Sequence, residues 1–476
     1  MHSAGERFAL PRPSLALSVL LLAAVLGGPG SGVALSSGAE RGGAPTVISL
    51  RAAESAALEQ PVLRISEQDA DGFRLEFELP ALAAQSLEVA GERYDLLEIP
   101  GGAFAGDVGA PMLPTFSRLI EIPARRGVRV EVTRLETTEL SGYRPLPRQP
   151  EAATEFVVDA TCYDGSQLVG GDPVSLGDPA LARGLRVVPI TFRPVRYDPA
   201  QDRLEVAKRI AVEVHFAGID LRNTPSEAPR RTPPSFDRLY RRLVVNYEGP
   251  RDGQAPLPGS YVLVCPDNPT VVDLLQPLVE WRTRKGCEVH LATTAETGTT
   301  REQIQSWLQT AYETWENPPE YVTLVGDVSG TIAIPYWTYG YGESDHPYVL
   351  WEGGDYLPEA HVGRISVETY DQLELYVHKI VGYESTPYMA ETDWYTRACL
   401  TGDPSYSGLT CVQIMQWLKT RLLEYGYTEI DTIFSSPFES QMSASLNRGV
   451  TAFAYRGYLG MSGFGTGDIY ALQNGW

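Results

Sequence analysis

Tyr261-Val-Leu-Val-Cys265 is a continuous apolar run, and the residue pattern downstream of it decides how the second half of the chain folds. Residues 270–285 put Val272, Leu275 and Val279 on one helical face, and Gly286 ends that helix. Cys287-Glu-Val-His-Leu-Ala292 then returns as a strand. Thr300 and Gln303 form a capping-box pattern ahead of Ile304, Trp307, Leu308 and Ala311 at helical spacing. Tyr321-Val-Thr-Leu-Val325 is the next strand and ends in Gly326-Asp327. Thr369 and Gln372 repeat the capping box before Leu373, Tyr376, Val377 and Ile380. A strand over Arg397–Thr401, a helix near 408–425, a strand near 428–434, a helix near 439–448 and a last strand at 450–454 continue the alternation. Buried strands alternating with helices predict a mostly parallel sheet covered on both faces.

Upstream the period is two. Phe73-Arg-Leu-Glu-Phe-Glu-Leu79, Val128-Arg-Val-Glu-Val132 and Ile210-Ala-Val-Glu-Val-His-Phe216 alternate apolar and polar residues. Such alternation predicts half-buried antiparallel strands, and with no long helical pattern between them a β sandwich over 61–221. Residues 222–257 contain Asn223-Thr-Pro-Ser-Glu-Ala-Pro-Arg-Arg-Thr-Pro-Pro-Ser235, read as an exposed, extended linker. Arg230-Arg231 in that setting is a candidate processing point or a basic pair in solvent. The α/β domain is assigned to 258–476.

The N-terminus reads as an address rather than a fold. His2, Arg7 and Arg12 precede the apolar run Leu15–Leu26, then Gly-Gly-Pro-Gly and small residues up to Ala34. This is a secretory signal pattern over 1–34, too short to span a bilayer as an anchor. Residues 35–60 are rich in Ser, Gly and Ala and are expected to be disordered. The net charge of −21 argues against a nucleic-acid partner, because phosphates require a basic face. The cysteines are Cys162, Cys265, Cys287, Cys399 and Cys411, an odd number with no CxxC pair. A zinc ribbon is therefore not expected, and at least one thiol is left over from any disulfide pairing.

Glu343, Asp345, His346, Asp355, Glu359 and His361 lie downstream of the Gly326-Asp327 strand end. Carboxylates on glycine-broken backbone suit calcium, with Asp345, Asp355 and Glu359 as candidate ligands, or else form a solvated acidic loop. His346 and His361 lack metal-ligand spacing and are read as structural, as is His290 in its strand. Gly463-Phe-Gly465-Thr-Gly467 does not have dinucleotide-binding spacing, and Gly460-Met-Ser462-Gly463 is one residue short of a nucleophile elbow.

Four stretches together resemble the gingipain-like cysteine peptidases of family C25, whose fold is caspase-like. They are Tyr261-Val-Leu-Val with Leu278-Val-Glu-Trp-Arg-Thr-Arg-Lys-Gly286; Pro318–Asp327; Ser344-Asp345 with Gly354–Glu359 and Val362-Gly-Arg-Ile365; and Tyr455-Arg-Gly457. The β region is similar to that family's propeptide through Gly109-Ala-Pro-Met-Leu-Pro114 and Ile120-Glu-Ile-Pro123. The resemblance implies a protein or peptide substrate, a histidine base and a cysteine nucleophile from successive strand ends, and no required cofactor. It also implies a propeptide that covers the cleft until the linker is cut. The histidine is needed because a thiol at its free pKa is mostly protonated. Here Tyr458 stands at the family's histidine position, and no His or Cys lies beyond Cys411. No catalytic residue is therefore carried over, and the chain is expected to be a fragment of a secreted peptidase precursor. The alternative is a non-catalytic secreted binding or surface protein on the same fold.

Overall fold

The computed structural model describes residues 40–41, 45–51, 58–89, 91–150, 156–225, 232–250, 256–339, 342–404, 410–457, 459–460 and 463–464. The signal-like segment, Arg230, Arg231 and Tyr458 lie outside them.

The period-2 stretches become antiparallel sheets. Arg203–Ile219 is the central strand of one, paired along one edge with Arg126–Ser141 and along the other with Gly72–Glu78 and Val195–Asp198. Its register sets Val212 opposite Leu75 and Val214 opposite Phe73, so the apolar sets share a face. A second sheet is built on Leu113–Glu121 and Leu185–Phe192. The faces meet where Phe77 stacks on Phe192, with ring centroids 4.7 Å apart, and tilts against Phe116. That is the sandwich the alternation predicts. A third antiparallel sheet centres on Ala81–Val89.

Two expectations change in this half, for residues 35–60 and for the linker. Within 35–60, Thr46–Ser49 is a strand on the edge of Ala81–Val89, and Ile48 packs against the core. Two adjacent β-branched apolar residues outweigh the surrounding polar composition once an open edge is present. A short helix, Ala160–Tyr163, capped by Asp159, interrupts the strands and buries Tyr163. The extended linker is in part a packed helix, Pro234–Leu243. Pro234 takes the first-turn position, where its missing N–H costs nothing. Phe236 and Tyr240, one turn apart, are buried with Leu119, Leu185, Val187, Val244 and Leu357.

The second half alternates as read. Ser260–Cys265, Val289–Thr293, Pro319–Val325 and His361–Ile365 form an all-parallel sheet. Helix Arg301–Thr314 covers one face through Ile304, Leu308 and Tyr312. Helices Pro269–Arg284 and Tyr370–Ser385 cover the other through Val271, Leu275, Leu278, Leu373 and Val377. Both capping boxes are present with both reciprocal hydrogen bonds. The expected single sheet is divided, however. Arg397–Gly402, Glu429–Ile433 and Ala452–Arg456 form a second parallel sheet of their own, with helices Thr410–Tyr425 and Phe438–Arg448 between its strands.

The two halves meet at the strand N-terminal ends of the four-stranded sheet. Glu320, near the start of its strand, accepts from the N–H groups of Ser235 and Gly259. His361, the first residue of its strand, contacts Ser235 Oγ at 2.9 Å and stacks between Phe236 and Tyr321. Asp355 accepts the Leu181 N–H of the β unit at 2.9 Å.

Candidate functional site

In open parallel sheets, ligands bind outside the carboxyl ends of strands where the strand order reverses. Each parallel sheet here has one such point. In the first, the chain runs from Ser260–Cys265 to Val289–Thr293 on one side, then crosses to Pro319–Val325 on the other. In the second it runs from Arg397–Gly402 to Glu429–Ile433 and crosses to Ala452–Arg456.

The second reversal point gathers the residues that matter most. Gly402 pairs with Arg456 in register, and the Asp403 N–H donates to the Arg456 carbonyl at 3.0 Å. The two strand ends are thus zipped together up to the turn that begins Arg456-Gly457. Asp403 is only 1% exposed. A Cβ at Gly402 would sit 2.9 Å from the Cys411 carbonyl oxygen, so glycine lets helix Thr410–Tyr425 approach the strand end. That places a buried acidic side chain beside the end of Ala452–Arg456. Residue type and spacing alone do not single out Asp403. A signal for it is nonetheless present: Thr401-Gly402-Asp403 repeats the strand-then-Gly-Asp pattern of Val325-Gly326-Asp327.

At the first reversal point Gly326-Asp327 forms a hydrogen-bonded turn. Asp327 N–H donates to Val367 and Ile332 carbonyls, and Asp327 Oδ1 accepts from Ser366 Oγ at 2.8 Å. Beside it Arg364 grips Asp345 with two bonds of 2.9 and 2.7 Å and donates further to the carbonyls of Gly326, Ile334 and Pro335. This network shapes the loop.

The calcium candidates go separate ways. Asp345 is held by Arg364. Asp355 accepts the N–H groups of Leu181 and Leu357. Glu359 is fully buried, accepts the N–H of Trp351 at 2.6 Å, and is pushed up to about 8 by burial. Its Oε2 is taken by the main-chain N–H groups of Trp351 and Glu352. Among the described residues no group of three or more His, Cys, Asp and Glu converges. His346 bonds the Tyr356 carbonyl, and His290 packs on Trp315.

No disulfide joins any two of the five cysteines. Cys265 is pushed up to about 12 by burial, and burial also raises Cys399 and Cys162. A raised thiol pKa is the reverse of what a nucleophile needs. Among the described residues no helix is long and apolar enough to cross a membrane.

Among the described residues, the β unit docks on the four-stranded sheet. Its contacts through Ser235, Phe236 and Leu181 fall at the strand N-terminal ends of the four-stranded sheet, the opposite end from that sheet's own reversal point. Among the described residues, these contacts hold the β unit against the α/β unit.

Against known protein families, residues 40–251 match the family model Propeptide_C25, and residues 254–475 match Peptidase family C25. Gingipain R2 of Porphyromonas gingivalis is 24% identical over 481 residues, covering 96% of this chain and 62% of that protein. Lys-gingipain W83 of the same organism is 26% identical over 406 residues, covering 80% of this chain and 23% of its own length. The chain therefore spans less than two thirds of these relatives. Among solved structures, a complex of Porphyromonas gingivalis RgpB pro- and mature domains aligns with a TM-score of 0.36 at 21% identity, over 40% of this chain and all of that one. The Arg-specific cysteine proteinase gingipain R aligns with a TM-score of 0.39 at 23% identity, over 44% of this chain and 49% of that one. With the two family models end to end along nearly the whole sequence, the chain belongs to peptidase family C25 and carries that family's propeptide ahead of its peptidase domain.

Proposed function

We propose that this chain is part of the secreted precursor of a cysteine-type peptidase, the β unit serving as propeptide and the α/β unit belonging to the peptidase domain. The observation that supports it is the succession of C25 propeptide and C25 peptidase regions along one chain. The reaction would be hydrolysis of a peptide bond through a thiolate at the second reversal point, with Asp403 orienting the group that deprotonates the thiol. The buried cysteines at 265, 399 and 411 are excluded from that role by their lack of access. Processing at Arg230-Arg231 would separate the two units. Calcium is not needed in this reading, because protein donors already hold Asp345 and Asp355.

One observation favours a second reading. Tyr458 takes the place of the family's histidine, and a phenol with a pKa near ~10 is a poor base at neutral pH. On this reading the protein binds peptide without cutting it. The experiment is hydrolysis of a mixed peptide library by the protein as its gene encodes it, with and without iodoacetamide. Hydrolysis that iodoacetamide abolishes is expected. Peptide binding without any cleavage would replace the first reading with the second.

A further inference from the structure

The β hairpin formed by Ala180–Ala182 and Leu185–Phe192 turns through Arg183-Gly184. Both turn residues have positive φ, 45° and 77°. Two-residue turns of this kind favour Asn-Gly, and a long side chain at the first position is held in a sparsely populated backbone region. The unfavourable residue is not left in solvent. Arg183 is 6% exposed and reaches out of the β unit into the α/β unit.

There its guanidinium meets a prepared surface. Nη1 donates to the carbonyls of Pro319 and Glu359, and Nη2 to that of Pro318 at 3.3 Å. The cation lies 5.2 Å from the Phe236 ring centroid and 5.5 Å from that of Tyr312. Three carbonyl acceptors in a fork, with aromatic faces beside them, match a planar guanidinium and not a compact ammonium. The hairpin backbone is gripped as well, with Tyr240 donating to the Ala182 carbonyl at 2.5 Å and Asp355 accepting the Leu181 N–H. A groove of about 690 Å³ runs up to Arg183, past Gly259, Glu288, His290, Trp315 and Pro318. The groove thus borders the site at Arg183 and Pro318.

We infer that the strand-N-terminal edge of the four-stranded sheet is a guanidinium-recognition site, distinct from both reversal points, whose occupant in this chain is Arg183. The site reads an arginine side chain through the carbonyls of residues 318, 319 and 359 and the rings of Phe236 and Tyr312, and it is what keys the β unit onto the α/β unit. This inference stands whether or not the protein cuts peptides.

Chemical rescue tests it in the full chain. Arg183→Ala removes the atoms that ethylguanidinium replaces. The substitution is expected to lower the melting midpoint by about 5 °C. Ethylguanidinium chloride at about 20 mM should then restore at least half of that loss by mass action, while propylammonium restores none and wild type gains nothing. A melting midpoint for R183A equal to wild type overturns the inference. So does equal rescue by the two cations, or a gain in wild type as large as in the variant. Should R183A not fold, Arg183→Lys decides the matter. It keeps the charge but not the fork, so a lowered midpoint supports the site and a wild-type midpoint overturns it.

Discussion

Asp403 is the residue whose position says most about chemistry. It is buried at the end of Arg397–Gly402, and its main chain is tied to Arg456. If it orients the group that activates a thiol, Asp403→Asn should lower kcat by roughly a hundredfold while the melting midpoint holds. Equal loss of activity and stability would mark it as structural instead. Glu359 and His361 lie two residues apart on the docking edge and give opposite pH dependences. Burial raises Glu359 to about 8. Its contribution to stability is fully present below the unfolded carboxyl value of about 4.5 and is lost as pH rises through about 8. Glu359→Gln should therefore flatten the alkaline limb of a pH–stability profile measured by denaturant titration. Burial lowers His361. Its contribution is complete above the unfolded value of about 6.5 and is lost as pH falls through its depressed folded value. Acid should therefore weaken the same face, where an imidazolium would meet the cations Arg183 and Arg238 as well as Glu320.

At the scale of elements, local sequence is a reliable guide wherever the determining atoms sit within a turn of one another. The two capping boxes are of this kind: Thr300 with Gln303 and Thr369 with Gln372 complete both reciprocal bonds. Thr369→Ala should cost about 1 kcal/mol in equilibrium unfolding, since it strands an N–H of the first turn. Helix Pro234–Leu243 shows the opposite case. Its prolines read as extended chain, but its stability comes from Phe236 and Tyr240 finding Leu119, Leu185 and Leu357, residues distant in the chain on both sides. Phe236→Ala should cost about 3–5 kcal/mol and separate the unfolding of the two units into distinct calorimetric transitions. A single transition at the wild-type midpoint would show the helix to be incidental to docking.

At the scale of the whole molecule, two units meet through one edge, and the chemistry expected of the family lies on another. The β unit engages Pro318, Pro319, Asp355 and Glu359 at strand beginnings, whereas Asp403 and Arg456 lie at strand ends. The amino-acid sequence by itself determined the change of period near residue 258, the antiparallel and α/β halves, the helix starts and the family. These depend on spacing and caps, which are local. Only the tertiary structure decided that the parallel strands divide into two sheets. It also brought Asp403 against Arg456, parted Asp345 from Asp355 and Glu359, and buried Arg183 in the other unit. Each of these depends on which distant surface a strand end or side chain meets, and a periodic pattern carries no record of its partner.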